Sequence, residues 1–165
     1  MSAFTAGKIL SWDNLLHALK RPRQAGKTIV FTNGCFDLLH PGHVASLERA
    51  KNLGDILVVG LNSDGSVRRL KGPPRPILPL RARAELLAAL ECVDYVTAFH
   101  EDTPLELVKA VRPDILVKGA DYAADEIVGA EFAKKVVRIP LKAGYSTSAL
   151  IAKIRGKRGT ERLKD

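Results

Sequence analysis

Cysteine is scarce in this sequence: Cys35 and Cys92 are the only two, far apart and in no CxxC pattern. A disulfide framework and a cysteine-rich zinc site are thereby excluded, and both residues are expected as free thiols. Aromatic residues make up 5% of the chain, which leaves few platforms for stacking unpaired bases. Long apolar runs are missing too. The longest, such as residues 56–61, fall far short of the roughly 20 residues that span a bilayer. The N-terminus has no secretory pattern, because Lys8, Ile9 and Leu10 lead straight into polar residues. A cytoplasmic location and no membrane partner are therefore expected. Several signatures are also absent. There is no GxxxxGK[ST] phosphate loop, no GxGxxG after the first strand-like run, no GxSxG elbow and no HExxH. P-loop proteins, dinucleotide-dependent dehydrogenases, serine α/β-hydrolases and zinc peptidases are set aside on those grounds. No repeat or low-complexity segment occurs.

What remains is the composition of an ordinary globular domain, 46% hydrophobic and 27% charged over 165 residues. A chain of that length buries roughly 70% of its unfolded surface and needs no staple to fold. The net charge is +8, and half of it comes from Lys153 onward, where six basic side chains stand against two acidic ones. Such a tail can bind nucleic acid or anionic lipid, but more often it is a solvated end. With few aromatics and no recognised binding motif, nucleic acid is not the expected partner.

Strand-like runs alternate with helix-like patterns, which predicts an α/β fold: a Rossmann-like, five-stranded parallel sheet with helices on both faces. Strands are expected at 28–32, 55–61, 95–99, 114–118 and 136–139. Helices are expected at 41–53, 80–90, from Pro104 to about Val111, and from Ser146 or Thr147 through Ile154. Thr103 and Glu106 read as a capping box for the third of these. Residues 62–79, rich in Gly, Pro, Arg and Lys, read as a long functional loop. The expected layout is an accessory N-terminal helix within 1–26, one catalytic domain at 27–155 and a basic flexible tail at 156–165.

In such sheets ligands bind beyond the carboxyl ends of the strands. Three unusual segments fall there: residues 32–43, 118–122 and 144–148. In the first, Pro41 suits the first turn of a helix, with His40 at its cap and His43 just inside. Gly42 permits close approach of a ligand to the backbone. A helix N-terminus favours anions, and two imidazoles add donors that can follow charge developing on a phosphate. A zinc site would need further ligands, and Asp37 is the sole near candidate. Lys71 and Arg75 in the 62–79 segment are candidates for clamping a polyphosphate. Ser146, Thr147 and Ser148 offer hydroxyls and amides at another helix start.

The run Thr32-Asn33-Gly34-Cys35-Phe36-Asp37-Leu38-Leu39-His40-Pro41-Gly42-His43 resembles the HxGH motif of the cytidylyltransferase-like nucleotidyltransferases. The resemblance extends over residues 27–155. Five further stretches (60–64, 69–72, 75–76, 116–122 and 146–148) are most similar to the adenylyltransferases of ADP-heptose synthesis. The chain has Gly119-Ala120-Asp121 where that group is expected to have Gly-Gly-Asp, and Ser148 where it has Thr.

The resemblance implies transfer of AMP from ATP to D-glycero-β-D-manno-heptose 1-phosphate, with Mg²⁺ brought in by ATP. The product would serve lipopolysaccharide core assembly. It implies that His40 and His43 contact the reacting phosphate and Lys71 the ATP phosphates. Asn33, Gly34, Cys35, Phe36, Asp37, Ser146 and Thr147 would line the nucleotide site, with Gly119 and Asp121 near the ribose. Thr32, Gly42, Asn62, Arg75, Lys118 and Ser148 complete the expected nucleotide site. It further implies a homodimer, in a stand-alone form that works downstream of a separate heptose kinase. The alternative is a cytidylyltransferase acting on glycerol 3-phosphate or another small phosphorylated acceptor.

Overall fold

Runs of branched apolar residues become five parallel strands in the computed structural model, which describes residues 3–120, 127–140 and 142–156. They are β1 (Ile29–Gly34), β2 (Ile56–Asn62), β3 (Tyr95–Phe99), β4 (Ile115–Gly119) and β5 (Lys135–Ile139). Their order in the sheet is β3-β2-β1-β4-β5. The chain winds outward from β1 to β3, then returns to start again at β4 beside β1. The connections leaving β1 and β4 therefore go to opposite sides, and a crevice opens between their carboxyl ends.

Alternation along the strands divides the core in two. Val30, Leu57, Val59 and Leu61 point to one face and pack with Leu47 and Ala50 of α3 (Pro41–Lys51) and Ala84 and Leu87 of α5 (Leu80–Ala88). Ile29, Phe31 and Val58 point to the other and pack with Leu107, Val108 and Val111 of α6 (Leu105–Val111). Leu15 and Leu19 of α2 (Trp12–Gln24) join that second layer. The N-terminal segment is thus built into the core. Trp12 Nε1 donates to the Ala98 carbonyl (2.7 Å), and Ile9 forms a parallel bridge with Val96 at the β3 edge. A short α1 (Ala3–Ala6) precedes it.

Two local expectations are corrected. The 62–79 segment is not all loop: Asp64–Lys71 forms α4. Ser63 caps it, accepting from the Ser66 amide (3.3 Å), and Asp64 lies in the first turn while Arg68, Arg69 and Lys71 lie in the last. Val67 is its one buried apolar residue, so the helix has no apolar stripe to announce it. The capping box at Thr103–Glu106 does not form, since α6 begins after Pro104 with no side-chain cap bond. Helix boundaries elsewhere shift by a few residues, as fraying ends do. The last helix, α7 (Thr147–Gly156), follows Ser146, whose Oγ accepts from the Ala149 amide (3.1 Å). The tail from 157 lies outside the described residues.

Gly60 sits in mid-strand between the core and the crevice. A Cβ there would lie 2.7 Å from Phe31 Cζ, 3.1 Å from Leu107 Cδ2 and 3.2 Å from Asn33 Cβ. Gly60→Ala should therefore cost about 1–3 kcal/mol through overpacking. A urea-denaturation midpoint unchanged by the substitution would show that β2 can shift freely against Phe31.

Candidate active site

After β1 the chain turns sharply, with Phe36 and Leu38 both in the left-handed region (φ 43° and 55°). Non-glycine residues hold that conformation only where surroundings enforce it, and such strain gathers at functional sites. Here Asp37, between them and 1% exposed, supplies the enforcement. Its carboxylate accepts from Arg75 Nε (2.6 Å) and from the Ile77 and Leu78 amides (2.8 and 3.0 Å). Its carbonyl accepts from Thr147 Oγ1 (2.8 Å). Burial works to raise the Asp37 pKa, but the two amides and the guanidinium outweigh it and hold the pKa below the usual carboxylate value. Asp37 is thus an anchor for three loops, with its carboxylate already committed.

Arg83 of α5 is the second anchor, with no solvent exposure. Its guanidinium donates to the carbonyls of Leu78 (3.0 Å), Cys35 (2.6 Å) and Asn62 (2.9 Å), and to the Asp64 carboxylate (2.6 Å). It is not among the site residues expected from the sequence. Its signal was phase: Leu80, Arg83, Ala84 and Leu87 share one helical stripe.

These anchors frame a cleft of about 470 Å³. Among the expected residues, Asn33, Gly34, Cys35, Phe36, Asp37, His43, Asn62, Lys71, Arg75, Lys118, Thr147 and Ser148 line it. A smaller adjoining pocket of about 230 Å³ adds Thr32 and Gly119. Leu70, Asp102, Thr103, Pro104 and Val128 also line the larger cleft and were not anticipated. Of these, Thr103 and Pro104 are expected from the sequence only as residues of a helix start. Three expected residues lie off both pockets. Ser146 caps α7. His40 caps α3 and is buried. Gly42 packs beneath His40, where a Cβ would sit 2.9 Å from its Nδ1. Asp121 lies outside the described residues.

The two histidines are stacked, with ring centroids 3.7 Å apart and planes at 17°. His40 Nδ1 accepts from the His43 amide (3.3 Å). Burial lowers the pKa of His40. Burial, with the neighbouring His40, lowers that of His43 to about 4. His43 is therefore neutral near pH 7. Its Nδ1 is buried and meets no partner among the described residues. A buried N–H without an acceptor costs more than a buried lone pair without a donor, so the proton belongs on Nε2. That tautomer offers the cleft an N–H donor without a standing charge.

Cations line the same cleft. Lys118 Nζ donates to Asn33 Oδ1, and burial brings its pKa down to about 8, so it is still mostly charged at pH 7. Lys71 ends α4 and lines the same cleft. Burial pushes the Cys35 thiol up despite the pull of Lys71, Arg83 and Arg75, which disfavours the reactive thiolate. Among the described residues no three His, Cys, Asp or Glu side chains gather to hold a metal ion, and no helix is long and apolar enough to cross a membrane.

A five-stranded parallel sheet with a cationic crevice at its strand-order switch defines a nucleotide-handling α/β protein. Comparison with known proteins narrows the class. The model of the cytidylyltransferase-like family matches residues 31–153, and the chain belongs to that family of nucleotidyltransferases. It is 57% identical over 151 residues to the bifunctional protein HldE of Helicobacter pylori (strain ATCC 700392 / 26695), a match covering 92% of this chain and 32% of that protein. With HldE of Helicobacter hepaticus (strain ATCC 51449 / 3B1) the identity is 54% over 154 residues, covering 93% and 32%. The chain thus spans about a third of the length of these curated relatives. Among solved structures, the lipopolysaccharide core biosynthesis protein from Thermoplasma volcanium GSS1 is 34% identical with a TM-score of 0.60, covering 71% of this chain and 99% of that one. Pantothenate synthetase from Thermus thermophilus has a TM-score of 0.55 at 20% identity, over 81% of this chain and 61% of that one, and shares the fold alone.

The depressed His43 pKa has a consequence for stability. An unfolded histidine binds its proton near pH 6.5, whereas folded His43 does so near 4. Between those values the unfolded state holds more protons, so acidification favours unfolding. The contribution of neutral His43 is complete above pH 6.5 and is lost as pH falls toward 4. Urea midpoints measured from pH 7 to 4 should fall less steeply for His43→Gln than for the wild type. Parallel curves would contradict the neutral, buried assignment.

Proposed function

We propose that the chain is an adenylyltransferase that transfers AMP from ATP to D-glycero-β-D-manno-heptose 1-phosphate, releasing pyrophosphate and forming ADP-heptose for the lipopolysaccharide core. The observation that carries nucleotidyl transfer is the placement of His43: a neutral imidazole donor on a helix N-terminus, open to a cleft that also holds Lys71, Arg75 and Lys118. The heptose acceptor draws its support from the motifs at 69–72 and 116–122, and the lipopolysaccharide core from the description of the Thermoplasma volcanium relative. The reading keeps a cytoplasmic homodimer whose sugar phosphate is supplied by a heptose kinase.

The chemistry follows from the charges. A phosphate oxygen of the sugar attacks the α-phosphorus of ATP, and the bond from that phosphorus to the β-phosphate bridging oxygen breaks. The attacking monoester is already largely ionised at neutral pH, its second pKa being about 6. No general base is needed, so catalysis reduces to in-line alignment and neutralisation of charge. His43 Nε2–H donates to the α-phosphate as negative charge builds on it. Lys71 and Arg75 meet the departing pyrophosphate. Arg75 is aimed by its bond to Asp37, since that bond uses Nε and leaves the terminal nitrogens for the ligand. Lys118 adds positive charge at the mouth of β4. Mg²⁺ brought with ATP would supply further neutralisation of the phosphate charge.

Pyrophosphate release over a panel of nucleotides and sugar phosphates tests this reading. Release with ATP and heptose 1-phosphate alone is the expected result. Release with CTP and glycerol 3-phosphate would move the assignment to the alternative acceptor, and silence with every pair would remove it. In the same assay His43→Ala should lower kcat at least about a hundredfold, the scale of a lost oxyanion donor. A near-wild-type kcat would take His43 out of the mechanism.

A further inference from the structure

Tyr145 stands in an unusual place for an aromatic side chain. It is 43% exposed, so core burial does not explain its position. Its ring lies instead against His40. The His40 and Tyr145 centroids are 6.3 Å apart with planes at 20°, so His40 has near-parallel rings at both His43 and Tyr145. That separation is within the range for offset stacking. Lys142 Nζ lies 5.4 Å from the Tyr145 centroid, a cation–π distance. Gly42 is what lets His40 and Tyr145 approach each other. A Cβ there would lie 2.9 Å from His40 Nδ1 and 3.1 Å from Tyr145 Cβ, so both residues rest on the one bare position of the first turn of α3.

The neighbours of Tyr145 in the chain give the contact its meaning. Ser146 caps α7, and Thr147 and Ser148 line the cleft. Thr147 Oγ1 already ties this turn to the Asp37 carbonyl. The turn is therefore stitched to the β1–α3 loop twice, at Asp37 by a hydrogen bond and at His40 by a ring. His40 itself is held lightly by hydrogen bonding, its Nδ1 receiving a 3.3 Å contact, and packing must set its orientation. His43 stacks on His40 in turn.

We propose that Tyr145 is a positioning residue: it holds the His40–His43 stack in register and couples the nucleotide-side turn at Ser146–Ser148 to the donor on His43. The proposal rests on the nucleotidyl-transfer reading for its kinetic consequence, though not for its structural one. A ring without the hydroxyl should serve as well as tyrosine.

The test compares Tyr145→Ala, Tyr145→Phe and the wild type in the full chain. For Tyr145→Ala, kcat should fall about tenfold while KM for ATP stays within about threefold, as expected for a donor displaced by a fraction of an ångström. Tyr145→Phe should keep kcat within about twofold, because the stack survives. Imidazole resonances of His40 and His43, followed by NMR without nucleotide, should shift in Tyr145→Ala and stay near wild-type positions in Tyr145→Phe. Unmoved resonances and an unchanged kcat in Tyr145→Ala would overturn the proposal, as would a Tyr145→Phe chain as impaired as Tyr145→Ala. Should the alanine variant fail to fold, Tyr145→Leu replaces it with the same criteria. A wild type inactive on every substrate pair would count against the function alone, since the imidazole spectra require no turnover.

Discussion

Arg83 reaches from α5 into the space beneath the cleft, where its guanidinium meets the carbonyls at Cys35 and Asn62, one just past the end of β1 and the other closing β2. Strand ends leave carbonyls that the sheet ladder no longer serves, and a buried carbonyl without a donor is costly. A buried cation is costly as well, by several kcal/mol, unless most of its donors are used. The two problems solve each other here. With Leu78 and Asp64 also bound, one side chain ties the loops after β1 and β2, the start of α4 and the entry to α5. The cleft is shaped by that junction, and its lining residues inherit their positions from it.

The electrostatics of the cleft follow the same logic. Three carboxylates around it are each committed to an arginine: Asp37 to Arg75, Asp64 to Arg83 and Asp102 to Arg69. The last pair is exposed and contributes little to stability, but it occupies a carboxylate that would otherwise repel a polyphosphate. Lys71 and Lys118 then supply positive charge, while His43 supplies a neutral donor. A charged imidazole would add a standing positive charge next to His40 and in a cleft already lined by two lysines. A neutral one avoids that cost and still offers an N–H to charge that appears during reaction.

Much of this was legible in the sequence, and what was not has physical reasons. The strands were readable because each is a short apolar run, as strands covered by helices on both faces are. Residues 32–43 were recognisable because Pro41 and Gly42 have distinct backbone roles at a helix start. Helix α4 was missed because Val67 alone gives it a buried apolar side chain. Asp37 lines the cleft, as the resemblance implies, but its anchoring role was not legible, because its partners Arg75, Ile77 and Leu78 lie some forty residues away. His40 was expected in the cleft beside His43, whereas the cap geometry turns it toward the Tyr145 side of α3. Arg83 was visible in principle, in phase with Leu80, Ala84 and Leu87. An arginine in phase with an apolar stripe is better read as a buried junction when a parallel sheet lies alongside.

The most direct measurement is the affinity for a non-hydrolysable ATP analogue of the Arg83→Met chain, taken by calorimetry at a temperature where circular dichroism shows it folded. Methionine keeps much of the volume and removes every donor. The account predicts binding at least about tenfold weaker than wild type, with stability lower by about 3 kcal/mol for the carbonyls left unpaired. Wild-type affinity in a folded Arg83→Met chain would contradict it, because the cleft would then hold its shape without the buried cation.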